Sequence, residues 1–353
     1  MTSKVMTPTT MPNLLACIAG DWLSKRQIFE IPEDGIRRVF ELETKSPGYD
    51  VLGTRISLPV GPAAGPNTQI SQSLVAAYVT GARIFELKTV QILDRLEIEK
   101  PCIETLDEGY NVEWSTELSL EDALAEYLRG WVAIHLLEEV FSQGPKGQFI
   151  FNMSLGYTLD GIKSERVNRF VDDLMNPAET EVWKATIRQA RTAVASPLFA
   201  EAFGVEATKR METAIDRIPV KPVHSVTLST MHGCPPDEIE RIARYLIEEK
   251  GLSTYVKLNP TLLGYDRVRS ILDTTGFTHV HIERGAFEKD LQFDDAMSLV
   301  ASLTQSARKH GLRFGLKLSN TLANANKLGR LPGEESYLSG RALFPITIRL
   351  AAE

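Results

Sequence analysis

Arg83-Ile-Phe-Glu-Leu-Lys88-Thr89, Thr254-Tyr-Val-Lys257-Leu-Asn259-Pro260 and Leu312-Arg-Phe-Gly-Leu-Lys317-Leu-Ser-Asn320-Thr321 follow one pattern: an apolar run ending in a cation or an amide. A buried strand has no use for a lysine at its end, because desolvating an unpaired ammonium is costly. Strands that repeatedly deliver Lys, Asn and Thr to one end predict a parallel barrel. Such a barrel presents polar groups to an anionic, hydrogen-bonding ligand.

Outward from these runs, strands and helices alternate, which predicts an α/β domain with a parallel sheet. Strand one is expected at Ile56–Val60, feeding the small-residue loop Gly61-Pro-Ala-Ala-Gly65-Pro66. A helix over 71–80 follows, then strand two at Arg83–Lys88 and a long polar stretch from Gln91 to Thr116. Loops of that length inside a compact domain usually carry function. Ser119, with Glu121 and Asp122 behind it, is a helix start. Strand three is expected at Gln148–Ser154, strand four at Val223–Ser229, strand five at Tyr255–Leu258 and strand six at Arg313–Leu318. Thr278–Glu283 reads as a further strand-like piece, and Gly340 opens a last helix. Neither GxGxxG nor GxxxxGK[ST] occurs, so polar strand ends favour a barrel over a doubly wound nucleotide fold. The expected fold is a (β/α)8 TIM-type barrel, truncated after its sixth strand. Residues 1–50 read as an N-terminal helical extension and 51–353 as the barrel, with a helical insertion at about 156–222.

Composition narrows the class. The 353 residues carry a net charge of −7, which gives no general attraction to nucleic acid or to an anionic membrane. There is no apolar run of about 18 residues and no signal-peptide core in the first ten, and the odd count of three cysteines fits a reducing cytoplasm, the expected location. Cys17, Cys102 and Cys234 lie far apart and form no CxxC pair, so neither an iron–sulfur cluster nor a zinc site is expected.

Single residues are ambiguous. Gly61–Gly65 reads as a backbone platform for a flat ligand or as a tight turn. Lys88 or Lys257 alone is a surface lysine; two at the same end, with Asn320 and Thr321 on a third strand, read as a site for negative charge developing on a ring. Asn111 suits a planar heterocycle with amide-like edges, or simply a turn. In Ser229-Thr-Met-His-Gly-Cys-Pro-Pro236, Pro235 fits a first helical position. That places Cys234 at a helix N-terminus, where a thiol pKa falls, with His232 two residues away. A small buried cysteine closing a loop is the competing reading.

Together these residues resemble the dihydroorotate dehydrogenase-like flavin barrels from about Ile56 onward. Gly61-Pro-Ala-Ala64-Gly65 resembles the family's first flavin loop, and Phe85–Thr89 its second strand, whose lysine and following hydroxyl touch FMN. Asn111 resembles the substrate-loop asparagine, Lys257 the flavin-facing lysine of a later strand, and Asn320-Thr321 the end of strand six. Ser339-Gly340-Arg341 is similar to the glycine-rich segment that follows. Leu87–Arg95, Asn111–Glu117, Met231–Pro236 and Lys317–Thr321 more closely resemble the N-terminal barrel of the selenate reductase iron–sulfur/flavin subunit family, relatives of dihydropyrimidine dehydrogenase. The resemblance implies an FMN-dependent oxidoreductase domain acting on a small planar substrate, with Cys234 as its catalytic residue. It also implies partner modules carrying FAD, NAD(P) and iron–sulfur clusters. The alternative is a non-catalytic barrel serving as a scaffold or assembly subunit. Two departures stand out. Thr227 occupies a position where ordinary dihydroorotate dehydrogenases have asparagine, and Cys234 is offset from their catalytic position. The strands whose loops bind the FMN phosphate fall after Glu353, so weak or absent FMN binding by the 353-residue chain is expected.

Overall fold

The computed structural model describes residues 6–93, 95–105, 109–112, 116–229, 233–327, 329 and 331–353. Helix α1 (Met11–Lys25) starts at Thr10, whose side chain accepts from the Asn13 N–H, and it buries Leu14, Leu15, Ile18 and Trp22. A short hairpin, β1 (Gln27–Ile28) and β2 (Ile31–Pro32), leads to α2 (Glu33–Thr44). A second hairpin, β3 (Tyr49–Val51) and β4 (Thr54–Ile56), precedes α3 (Ser71–Val79) and β5 (Ile84–Glu86). The long polar stretch contains β6 (Ile103–Glu104) and β7 (Tyr110–Asn111). Helix α4 (Leu120–Phe141) opens on the predicted Ser119 cap, which accepts from the Asp122 N–H, and leads into β8 (Ile150–Gly156).

Five helices fill the predicted insertion: α5 (Leu159–Lys163), α6 (Glu165–Met175), α7 (Glu181–Val194), α8 (Pro197–Phe203) and α9 (Val205–Ile215). The chain returns through β9 (Val223–Ser229), α10 (Pro236–Arg244), β10 (Ser253–Leu258) and α11 (Tyr265–Thr274). It ends with α12 (Arg284–Lys289), α13 (Phe293–Lys309), β11 (Phe314–Leu318), β12 (Leu322–Ala325), β13 (Glu335–Leu338) and α14 (Gly340–Ala352).

The central sheet is parallel throughout, in the order β11-β10-β9-β8-β5, and forms a half-barrel. A four-stranded antiparallel sheet, β12-β13-β7-β6, is built from the long polar stretch and the segment after β11. The outward faces of the central strands join the main apolar core. Phe85, Phe151, Met153, Leu155, Val226, Leu228 and Val256 are buried there, and Tyr78, Phe149 and Trp131 ring Phe85 and Phe151. Leu52 and Ile56 of the β3–β4 hairpin form a separate small cluster with Ile150, packed by Ile84 and Tyr255. That cluster joins the hairpin to the first residues of β5 and β8, at the end of the sheet opposite the lysines. Among the described residues no helix is long and apolar enough to cross a membrane.

Two expected strands differ. Strand pairing at β4 stops at Ile56 and is antiparallel with β3, so Ile56–Val60 is not a barrel strand. The next residues run irregularly beside β5: Val60 O accepts from the Arg83 and Ile84 N–H groups, and Pro62 O from that of Glu86. Thr278–Glu283 is also not a strand, despite its alternating Thr278, Val280 and Ile282. The Arg269 guanidinium takes the Phe277 and Val280 carbonyls, and His281 O accepts from the Ala325 N–H, so these acceptors are satisfied without a neighbouring strand.

Gly61 has a structural cause. A Cβ there would lie 1.6 Å from Ile84 O, because the loop presses against β5. The missing side chain makes room for a backbone, not for a ligand. Gly61→Ala is expected to cost about 3 kcal/mol in urea unfolding, the upper range for overpacking. A loss below ~1 kcal/mol would mean that this contact relaxes freely.

Candidate functional site

Alternation along a strand places Glu86 and Lys88 on one face of β5 and its continuation, with Phe85 and Leu87 on the other. Applied to the neighbours, the same alternation aligns Asn152 and Ser154 of β8, Ser225 and Thr227 of β9, Lys257 of β10 and Lys317 of β11. The register pairs Glu86 with Asn152, Ser154 with Thr227, and Lys257 with Lys317. Barrel interiors are ordinarily filled by branched apolar side chains. Here one layer is polar and charged.

Its hydrogen bonds are specific. Asn152 donates from Nδ2 to Thr227 Oγ1 at 2.7 Å and accepts from Ser225 Oγ at 2.7 Å. The amide that Thr227 lacks is therefore supplied by the adjacent strand. Thr89 Oγ1 and Ser154 Oγ are 2.8 Å apart. Lys88 is buried, and its carbonyl accepts from Tyr127 Oη at 3.0 Å.

The charges converge. Glu86, 5 % exposed, is ion-paired with Lys317 and accepts from the Ala64 N–H at 3.0 Å. Burial opposes its ionisation, but the Lys317 and Lys257 ammonium groups and the Ala64 N–H outweigh it, so its carboxyl lies below the ordinary range. Glu86 Oε1 is buried and has no hydrogen-bond partner among the described residues. Burial first, then repulsion from Lys317 and Lys88, pulls Lys257 down to about 8, with Glu86 opposing. Lys88 and Lys257 thus share one end of the sheet within mutual electrostatic reach. Among the described residues, the Lys88, Lys257 and Lys317 ammonium groups gather at the same strand ends as the Glu86 carboxylate, in a chain whose overall charge is −7.

The other predicted residues lie around this layer. Ala64 meets Glu86 directly, as above. Gly65 has an extended backbone, and its carbonyl accepts from Thr68 N–H and Oγ1. Asn111 is the last residue of β7 and pairs with both Tyr337 and Ile103. Ser339 binds Gly109 O through its N–H (2.8 Å) and Oγ (3.2 Å), so Ser339 and Gly340, at the start of α14, adjoin the Asn111 strand. Asn320 is tied to β10: its N–H donates to Leu258 O at 2.7 Å and its Nδ2 to Asn259 Oδ1 at 3.1 Å. The Thr321 N–H donates back to Asn320 Oδ1 at 2.9 Å. Thr230, Met231 and His232, with Glu113, Trp114 and Ser115, lie outside the described residues.

Cys234 differs from expectation. Pro235 is the cap and Pro236 the first helical residue, so the helix starts one residue later than expected and Cys234 lies one position further outside it. Burial, then Glu238 and Asp237, pushes its thiol up to about 11. The two acidic residues occupy the first turn that was expected to stabilise a thiolate. At pH 7 such a thiol is almost wholly protonated. Its alkylation by iodoacetamide should be roughly a hundredfold slower than that of a free thiol, whose pKa is about 8.5. A rate equal to free cysteine would overturn this reading.

Glu86, Lys317, Asn152 and Asp290 were not singled out from the sequence as site residues. Lys317 ends one of the quoted runs, and Glu86 lies two residues before Lys88, so both carried a positional signal. Asn152 and Asp290 carried none.

A parallel α/β half-barrel with a charged layer at its strand ends defines the class. Within that class, the chain belongs to the family described as "Oxidoreductase YgfK, N-terminal TIM-barrel domain", whose model matches residues 34–353. Two relatives, from Escherichia coli K12 and O157:H7, are provisionally named oxidoreductase YgfK. Each is 47% identical over 350 residues, covering 99% of this chain and 34% of the relative. The chain thus spans about a third of the length of the curated relatives it matches. A solved structure, DHODH in complex with ferulenol from Eimeria tenella, aligns at TM-score 0.37 and 14% identity, covering 83% of this chain and 81% of that one.

Proposed function

We propose that this barrel is a flavin-binding oxidoreductase domain, whose strand-end residues would hold FMN. The observation that carries the reading is the Glu86–Lys317–Lys257–Lys88 layer: Lys317 is paired with Glu86, and burial together with the neighbouring ammonium groups holds Lys257 below its ordinary pKa. A desolvated ammonium among like charges is costly, and an electron-rich or anionic partner would relieve that cost. The donor set fits a flavin: ammonium groups from Lys88 and Lys257 suit its electron-rich edge, and the Asn111 and Asn320 amides suit planar groups with amide-like edges.

When bound, the flavin supplies the redox chemistry. The residues of this chain do the rest. Lys88 and Lys257 would hold the flavin ring and favour negative charge on it. Thr89, Ala64 and Gly65 would line the same site. Asn111 and Asn320 orient a planar substrate, and Ser339 with Gly340 closes that end. Cys234, held as a neutral thiol, serves as a proton donor rather than a nucleophile.

In the whole protein we place this domain in a cytoplasmic electron-transferring subunit of the selenate reductase type, passing electrons to FAD/NAD(P) and iron–sulfur modules. One observation favours the second reading, a non-catalytic scaffold: the Cys234 thiol is raised rather than lowered, so it lacks the thiolate that a base or nucleophile would need. The experiment is a titration of FMN and of riboflavin into the chain, followed by flavin fluorescence. Binding of both, each weakened by Lys257→Met, supports the flavin reading. No binding of riboflavin, which carries no phosphate and needs no phosphate site, up to millimolar concentration supports the scaffold.

A further inference from the structure

We propose that Asp290 is a positioning residue that couples the Gly233–Cys234 segment to the Asn259–Asn320 amide pair, so that the thiol and the strand-end amides keep one fixed relation. The proposal rests on the site reading above. Asp290 follows α12 and is 4 % exposed. Its two carboxylate oxygens serve different elements. Oδ1 accepts from the Gly233 N–H at 2.6 Å. Oδ2 accepts from Thr261 Oγ1 at 2.8 Å and from Asn259 Nδ2 at 3.1 Å. Asn259 Oδ1 in turn accepts from Asn320 Nδ2 at 3.1 Å, and Asn320 Oδ1 accepts from the Thr321 N–H at 2.9 Å. The hydrogen bonds therefore run unbroken from the residue before Cys234 to Thr321, across the ends of β9, β10 and β11.

The chemistry requires a carboxylate. Asn259, Thr261 and Gly233 all approach as donors, and only an acceptor-only group receives all three. Gly233 adopts a φ of +76°, a conformation other residues rarely hold, so its N–H has a fixed direction. The carboxylate also fixes the orientation of Asn259. With Nδ2 committed to Asp290, Oδ1 is left to face Asn320. Asparagine at 290 would retain one acceptor and turn an NH2 toward a donor, releasing one half of the chain.

The test is amide hydrogen exchange of the ligand-free chain, with Cys234 alkylation measured in parallel. In Asp290→Ala, exchange at Gly233 should accelerate. Exchange at Thr321 should accelerate by about tenfold as well, relayed through the Asn259 and Asn320 hydrogen bonds that separate it from Asp290, while core amides such as Val226 stay within twofold. Asp290→Asn should loosen one end only. Acceleration at Gly233 with Thr321 unchanged would make Asp290 a local loop cap and overturn the coupling. If Asp290→Ala does not fold, Asn259→Ser cuts the chain at its middle. Thr321 should then loosen while Gly233 stays protected, and an unchanged Thr321 would again overturn the proposal. These readouts need no flavin, so a chain that binds no flavin would sink the proposed function and leave this result standing.

Discussion

Lys257→Met is expected to weaken flavin binding and, at the same pH, to stabilise the ligand-free fold. The two effects share a cause. The Lys257 ammonium is held near a pKa of about 8 by burial and by the Lys317 and Lys88 charges, against an ordinary value of 10.5. Below pH 8 both folded and unfolded chains carry the proton, and the folded chain bears the cost. Between about 8 and 10.5 the folded chain releases a proton that the unfolded chain keeps, so stability rises with pH through that window. The whole effect is about 3 kcal/mol at 1.36 kcal/mol per pKa unit. Methionine removes the cost while filling a similar volume. At pH 7 the variant should therefore gain up to about 3 kcal/mol in urea unfolding. Its advantage should shrink as pH rises from 8 to 10.5. In exchange it loses a charge-assisted contact to the ligand, worth about 2 kcal/mol or roughly thirtyfold in affinity. A variant less stable than the parent at pH 7 would show that Lys257 is not desolvated.

Glu86→Gln should act in the opposite direction on the fold. It removes the carboxylate that offsets Lys317 and Lys257 and leaves two neighbouring ammonium groups facing each other. Breaking one partner of a buried pair costs about 3–5 kcal/mol. Lys317 is a quarter exposed, so the lower figure applies. Because the Glu86 carboxyl lies below its ordinary range, its contribution is present at neutral pH and is lost as pH falls through the folded-state value. The variant should thus show a flatter acid limb as well as a lower midpoint. The double variant Glu86→Gln with Lys317→Met should recover most of the loss. Recovery of none would mean that the cost arises from packing rather than charge.

The central sheet was legible because its signal is chemical. Val223–Ser229 is found at its predicted limits, and the Lys88, Lys257 and Lys317 runs all lie in or beside parallel strands. The errors have physical origins. Ile56–Val60 was read as a strand from its apolar character, but the close approach of Gly61 to β5 makes an irregular edge instead. Thr278–Glu283 has strand-like alternation, yet its Val280 carbonyl is met by the Arg269 guanidinium, which no pattern of residues announces. At Cys234, the helix began one residue later than expected, and the acidic first turn opposed the thiolate. Glu86 was hidden by its context: a glutamate in an apolar strand looks like a solvent-facing position until the register brings Lys317 to it. The Asp290 chain joins segments 57 residues apart at Gly233 and 31 at Asn259, a separation that sequence spacing does not encode.

The most direct measurement of the central claim is the titration of Lys257 itself, read from its ¹³Cε resonance in lysine-labelled protein, without flavin and then with millimolar FMN. The charged strand-end layer predicts a free-chain pKa of about 8 and an upward shift when the flavin is added. A pKa near the ordinary 10.5 that does not move with FMN would contradict both the buried charge and the site.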